Sequence, residues 1–516
     1  MANRRYLIAC TLLRHPKNRH GRIEKDPGMT TNNYDAIVIG AGFGGSASAG
    51  LLAKRGLKVL LVEKNNLAGG KAMTLNKNGF TYSAWPVMGA PVTDNWCQKL
   101  VDTLGIGNQI KLTSSESGSY YKTPQGAYEP MPKMDGSVDP FVLFNWLGMS
   151  GDDCDKALGF FGALTMMPPE TIDSYEGTDF DSFIKAADLP RSLYSFIVSL
   201  CLDGMYMVPV DQLDAAEAIY GIQDIFLRGG GLFCIGGYGK LAEGCLESVR
   251  KHGSTVMMAT RVNEILIEQG KVVGIETKEG ETFRAPIVIS NVGIQPTVLK
   301  LAGETNFPAD YVNRVKALVP SNSLLGYRYF LSKPITDKGF GVVFSQTSPW
   351  SAERLKAADA GNASREGVLY FEVPNNYDAD AAPAGKQVIV TGSFCPPDPD
   401  MSKESIKAWA DAGEEIFFGL FPQARGLIEE KDMYTTRSVS NATRDATMPG
   451  TGGETIGLAQ IVGQCGKSKP SIQTPVDGLF IVGCDAGARG VGTQQAIQSG
   501  FIVADAVTAI HQSRKN

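Results

Sequence analysis

The sequence predicts an α/β protein: a Rossmann-type domain assembled from separate stretches of chain, with an α+β domain inserted into it. Three observations predict it. The apolar run at residues 34–39 leads directly into the glycine turn Gly40-Ala41-Gly42-Phe43-Gly44-Gly45 and then a small-residue helix. A second apolar run at residues 479–482 is followed by another glycine-rich turn and helix. Two long segments of different texture, 96–224 and 296–465, separate the pieces. The chain has 516 residues, well beyond the ~100–200 of one domain, so more than one lobe is expected.

Composition narrows the class. With 43% apolar and 20% charged residues, the chain reads as folded rather than disordered. Glycine accounts for 59 residues, an excess over the roughly 7% average that points to tight turns and close backbone approach. A net charge of −5 argues against nucleic acid as a partner. Residues 1–28 carry seven Lys/Arg against Glu24 and Asp26, and read as a separate, disordered basic tail. Four histidines, two of them in that tail (His15, His20), supply neither a Ser-His-Asp triad nor a His-rich metal site, so no metal is expected. Nine scattered cysteines without a CxxC pair read as reduced thiols, hence a cytoplasmic protein.

Near the start, the apolar run at residues 6–13 is too short to span a bilayer and sits at the low edge for a signal peptide. It reads as an extension, or as sequence upstream of a start at Met29. No later run approaches the ~18 residues of a membrane span; the best, at 193–202, stops at Asp203.

The first motif has a physical logic at each position. A strand buried on both faces is a continuous apolar run, as here. In the turn after it, Gly40 permits the tight bend, Gly42 admits a pyrophosphate to the backbone, and Gly45 lets helix and strand pack closely. The N-terminus of the small-residue helix that follows through residues 46–53 offers free N–H groups to the diphosphate, with Phe43 and Gly44 of the turn also against the cofactor. A second strand at residues 58–62 ends at Glu63, whose carboxylate suits the two hydroxyls of an adenosine ribose. A lone GxGxxG says little; between strand and helix, with an acid at the next strand end, it specifies a dinucleotide site. A plain glycine-rich turn is the weaker alternative.

After Glu63 and Lys64 come Gly69-Gly70-Lys71-Ala72, then Gly79-Phe80-Thr81-Tyr82-Ser83-Ala84-Trp85-Pro86. Here the chain resembles the flavin amine-oxidase and phytoene-desaturase superfamily, including the carotenoid isomerases. Its pattern after the ribose acid is G-G-[RK]-A followed by G-[YF]-x-[FY]-D-x-G-P. The resemblance implies FAD as cofactor, with Gly70, Lys71 and Ala72 contacting it. Two positions depart from the pattern: Ser83 stands in place of Asp and Trp85 in place of Gly.

Two later segments carry the same resemblance. Residues 256–258, 261–265, 270–275 and 285–291 alternate apolar runs with glycine turns, as a β-meander does. By resemblance, the backbone of Val262 meets the adenine. Residues 474–500 match the closing segment of the desaturase branch. There Gly483 and Asp485 would meet the ribityl or diphosphate region. Gly492, Thr493 and Gln494 would open a helix facing the isoalloxazine carbonyls, favouring the anionic reduced form. Arg489 occupies a position where the family often has proline. Cys484 invites comparison with a covalent flavin anchor, but a plain buried thiol is the preferred reading.

The domain reading is therefore an FAD-binding domain from 29–95, 225–295 and 466–516, with a substrate domain from 96–224 and 296–465. The first insert is rich in soft residues (141–147, Phe160, Phe161, Met166, Met167, Met205, Met207), which suit an apolar ligand or simply a core. The second contains strand-like runs at 326–331 and 387–391, suited to a sheet flooring a pocket. The resemblance implies an FAD-dependent desaturase or dehydrogenase taking a hydride from an apolar isoprenoid, a carotenoid or terpene. Isomerisation or saturation of polyenes, and amine oxidation, are the alternatives; a non-catalytic flavoprotein subunit is a third. No second strand–GxGxxG–helix unit exists, so a quinone, carrier protein or oxygen is the expected electron acceptor. Peripheral membrane contact, and a dimer or a heteromer with a related subunit, are also open. No catalytic residue is identified; Trp85 and Arg489 are pocket candidates only.

Overall fold

Alternate side chains of strand β1 (Ala36–Ile39) belong to two different cores, and that alternation organises the molecule around the site. The computed structural model describes residues 33–123, 125–132, 139–198, 204–345, 363 and 368–515. The basic tail 1–28, the start at Met29 and the end of the 193–202 run lie outside them.

Strand β1 is followed by helix α1 (Phe43–Lys54) and strand β2 (Val59–Val62). Helix α2 (Tyr238–Lys251) leads into β3 (Thr255–Met257), and β4 (Val288–Ser290), β5 (Leu479–Ile481) and helix α3 (Gly492–Lys515) complete the set. The five strands form one parallel sheet in the order β5-β4-β1-β2-β3. Val38 and Leu61 face α1, α2 and α3, whereas Ile37, Ile39, Leu60 and Val62 face the opposite core. Register places Ile39 opposite both Val62 and Ser290, and Ser290 opposite Ile481, so the residues after them leave from one edge. That edge is where open α/β sheets bind ligands.

One expectation is corrected. The meander consists of Val262–Glu268, Lys271–Thr277 and Thr282–Arg284; residues 256–258 and 285–291 instead contribute β3 and β4 of the parallel sheet. In the meander Glu264 and Glu268 are exposed, but Val288, Ile289 and Ser290 are all buried. A run of three or four apolar residues next to a glycine turn does not reveal whether one face or two will be covered.

The second layer is a seven-stranded sheet in the spatial order 428–434, 323–331, 387–395, 369–372, 340–345, 117–122 and 128–130. Only the pairing of Phe340–Ser345 with Ser117–Lys122 is parallel. Helix Lys403–Leu420 packs on one face, stacking Phe417 on Tyr329 with ring centroids 4.1 Å apart, a geometry worth about 0.5–1.5 kcal/mol beyond burial. The other face presents Leu324, Val342, Tyr370 and Phe394 to a helical cluster that includes Pro140–Trp146, Asp152–Met166 and Ala215–Gln223. Residues 141–146 are thus helix, capped by Leu147, with Phe144 buried in that core. No helix among the described residues is long and apolar enough to cross a membrane.

Candidate active site

A cavity of about 1180 Å³ opens along the edge of the parallel sheet and continues over the seven-stranded sheet. Its first half is built by close backbone contact between the three distant motifs. Gly40 adopts φ +96°, and a Cβ at Gly45 would collide with the carbonyl oxygen of Gly40, so the helix starts hard against the turn. A Cβ at Gly44 would lie 2.7 Å from the backbone nitrogen of Gly483, which puts first and last motifs in direct contact. The Gly69 N–H donates to Ala41 O at 2.8 Å, seating the glycine pair 69–70 on the same turn. Asn291, immediately after β4, joins them: in the amide orientation that satisfies its neighbours, its oxygen accepts from Gly42 N–H and its nitrogen donates to Val482 O, both at 3.2 Å.

Most of the residues predicted from sequence line this cavity: Gly40, Gly42, Phe43 and Gly44 from the turn, Glu63, Lys64, Gly70, Lys71 and Ala72, then Val262, Gly483, Gly492, Thr493 and Gln494. Three do not. Ala41 turns its N–H to Glu63 Oε2 at 2.7 Å, Gly45 is a packing position, and Asp485 is drawn into an ion pair. Trp85 and Arg489 also line it.

Glu63 fits the role of ribose acceptor. Its Oε2 accepts from Ala41 N and its Oε1 from Asn65 N at 2.8 Å, leaving each oxygen a further lone pair. Burial pushes its pKa up, opposed by these two N–H bonds.

Beside it lies a group that the sequence did not reveal. Lys71 Nζ is 2.6 Å from Glu454 Oε1, Arg444 is 3.1 Å from the same oxygen, and Arg444 reaches Asp485 at 2.8 Å. Burial opposes ionisation of Asp485 and Glu454, but the Arg444 guanidinium overrides it and holds both carboxyls below their usual range. Asp485 also accepts from Ile294 N–H at 3.0 Å. It therefore also ties down the loop under the cavity. Arg444 and Glu454 are single charges in a Gly/Thr-rich stretch, a signal too weak to single out.

Cys484 lines the cavity with its Sγ donating to Gly492 O at 3.3 Å, and burial pushes its thiol up to about 11. It is half-buried, whereas the other described cysteines are buried. Arg489 pairs with Glu217 at 2.9 Å and Asp173 at 3.1 Å, and also contacts Glu176, tying the turn before α3 to the first insert.

The second half of the cavity is mostly apolar. Met88, Met205, Met207, Ile225, Leu324 and Val342 contribute to its wall. The run 205–207 read as an adaptable wall thus lies on the cavity, whereas Met166 is exposed and Phe144 is core.

A parallel sheet, a glycine turn opening a helix and a ribose-type carboxylate define a dinucleotide-binding enzyme with an attached apolar compartment. The model of the family described as flavin containing amine oxidoreductase matches residues 43–321, more than half of the chain, and the protein belongs to that family. It is an FAD-dependent oxidoreductase. It is similar to the chloroplastic prolycopene isomerase of Arabidopsis thaliana, 23% identical over 92% of this chain and 83% of that one. Similarity to the phytoene desaturase of Cercospora nicotianae is 22% over 70% and 61% of the two chains. Among solved structures, an oxidoreductase from Methanosarcina mazei superposes with a TM-score of 0.65 at 20% identity, covering 91% of this chain and 99% of that one, which shows the shared fold.

Proposed function

We propose that the enzyme oxidises an apolar isoprenoid, a carotenoid or terpene, by removing a hydride from an activated C–H. The observation that carries this reading is the continuity of one cavity: the glycine turns that suit FAD run directly into a wall of methionine, leucine, valine and isoleucine. When bound, FAD supplies the hydride acceptor.

The chain's own groups do the rest. Backbone N–H groups of the 40–45 turn and the N-terminus of α1 favour the diphosphate, Glu63 takes the ribose hydroxyls, and the backbone of Val262, which lines the same cavity, meets the adenine. The start of α3 at Gly492, Thr493 and Gln494 turns its positive end to the cavity. The apolar wall excludes water and orients the substrate, which lowers the barrier through positioning rather than acid–base chemistry. No histidine is among the described lining residues. On this reading the domain division places cofactor binding in 29–95, 225–295 and 466–516, and the substrate wall mainly in the two inserts.

Redox-neutral isomerisation of a polyene is the second reading, favoured by the extent of the match to the prolycopene isomerase. Under the first reading a quinone, carrier protein or oxygen reoxidises the enzyme. Contact with a membrane surface, which would supply such a substrate, and association as a dimer or with a related subunit belong to the same proposal.

Anaerobic titration of the FAD-loaded protein with carotenoid, monoterpene and amine panels tests it. Bleaching of the flavin absorbance by a polyene or terpene supports oxidation. Geometric isomers appearing without net bleaching support isomerisation. Bleaching by amines alone overturns both.

A further inference from the structure

Glu372 is the last residue of strand Leu369–Glu372 and is fully buried, yet it faces the same side of the sheet as cavity-lining residues. Tyr370, two residues earlier, lines the cavity, as do Phe340, directly across from Glu372, and Val342, across from Tyr370. What separates Glu372 from that space is the segment at residues 83–87, of which Trp85, Pro86 and Val87 are themselves lining. The carboxyl is bonded to both ends of this segment. Ser83 Oγ donates to Oε1 at 3.0 Å and Val87 N–H to Oε2 at 2.9 Å. Tyr377 OH donates to Oε1 at 2.6 Å. In the middle, Arg328 Nε donates to Ala84 O at 2.9 Å and the Trp85 indole N–H to Lys71 O.

We propose that Glu372 is a positioning residue: its carboxylate braces the 83–87 wall of the substrate compartment from behind, and gaining a proton loosens that brace. The assignment rests on the reading of this cavity as the active site. Three donors converge on two oxygens, an arrangement an acceptor-only carboxylate satisfies in full. A proton takes the one remaining lone-pair site, on Oε2, and turns three charge-assisted bonds into bonds to a neutral carboxyl, which are roughly half as strong. All three bonded groups are uncharged. Tyr238 and Tyr434 stand nearby, and the charged groups on the surrounding elements are Arg328 at Ala84 and Asp378 beside Tyr377. Burial, only partly offset by the three donors, pushes the Glu372 pKa up to about 7, within the range where an enzyme works.

The test is a pH titration of intrinsic tryptophan fluorescence between pH 5 and 9 in the full chain, with and without added FAD. The wild type is expected to show an inflection near pH 7 that Trp85→Phe and Glu372→Gln both abolish. Tyr377→Phe removes one donor to the carboxylate and is expected to move the inflection upward by about one pH unit. It also serves if the Gln variant fails to fold. An inflection that survives in Glu372→Gln, one that ignores Tyr377→Phe, or a flat wild-type titration overturns the proposal. Failure of the protein to take up FAD would instead sink the functional reading, while the titration without FAD still decides the role of Glu372.

Discussion

Lys71 and Glu454 are 383 residues apart along the chain, yet their charged atoms are 2.6 Å apart in the fold. Glu454 is shared with Arg444, and Arg444 with Asp485, so two cations and two anions close a neutral group beneath the cavity. Buried charges persist only when paired in this way, because desolvation alone costs several kcal/mol per ion.

Removing the shared anion is therefore expected to be severe. Glu454→Gln should destabilise the protein by about 3–5 kcal/mol in urea unfolding. The double variant Lys71→Met/Glu454→Met should cost less than the sum of its single variants, because neither orphaned charge remains.

Acid should break the same group. Asp485 and Glu454 have folded pKa values below their usual ones, so the stability they contribute is present above about pH 4–5 and lost as pH falls through the folded values. Glu372 acts in the opposite sense. Its pKa is raised to about 7, so its ionisation costs stability as pH rises from 4.5 to 7. Thermal melts should show a steep acid limb that Asp485→Asn softens, and a decline toward pH 7 that Glu372→Gln removes.

Two glycine substitutions should move stability in opposite directions. Gly45→Ala drives a methyl into Gly40 O and should cost about 1–3 kcal/mol, together with FAD uptake. Gly159, inside helix Asp152–Met166, has nothing within 4 Å of its missing Cβ, so Gly159→Ala should stabilise by about 0.5–1 kcal/mol. Calorimetry on the two variants checks both signs.

Glu63→Gln keeps the shape of the side chain and removes its charge. FAD binding, followed by quenching of flavin fluorescence, should weaken by at least tenfold, since a hydrogen bond to a charged acceptor is worth about 1.5–3 kcal/mol. Unchanged affinity would remove Glu63 from the ribose site.

How far the site could be read ahead of the structure depends on where its parts lie in the chain. The stretch from Ala36 to Glu63 is contiguous, and each residue's task is set by neighbours within that stretch, so its strand, turn, helix and acid were all visible. Residues 256–258 and 285–291 were harder: their apolar runs were clear, but which sheet they would join depends on what covers the second face. Glu372, Arg444 and Asn291 left no local trace. Each is one polar residue whose meaning comes from partners that only the fold supplies: Ser83 lies 289 residues from Glu372, and Asp485 lies 41 from Arg444.

The amino-acid order by itself determined the Rossmann-type α/β class and the glycine turn with its carboxylate, because hydrogen bonding and steric limits act there over a few adjacent residues; FAD followed from the resemblance of residues 69–86 and 474–500 to the flavin amine-oxidase and desaturase superfamily. Only the tertiary structure decided that Asp485 serves Arg444, that Glu372 backs the cavity wall, and that methionines 205 and 207 rather than 166 meet the cavity. Burial and charge pairing are properties of the assembled layers, and they arise only once distant segments have displaced water from one another.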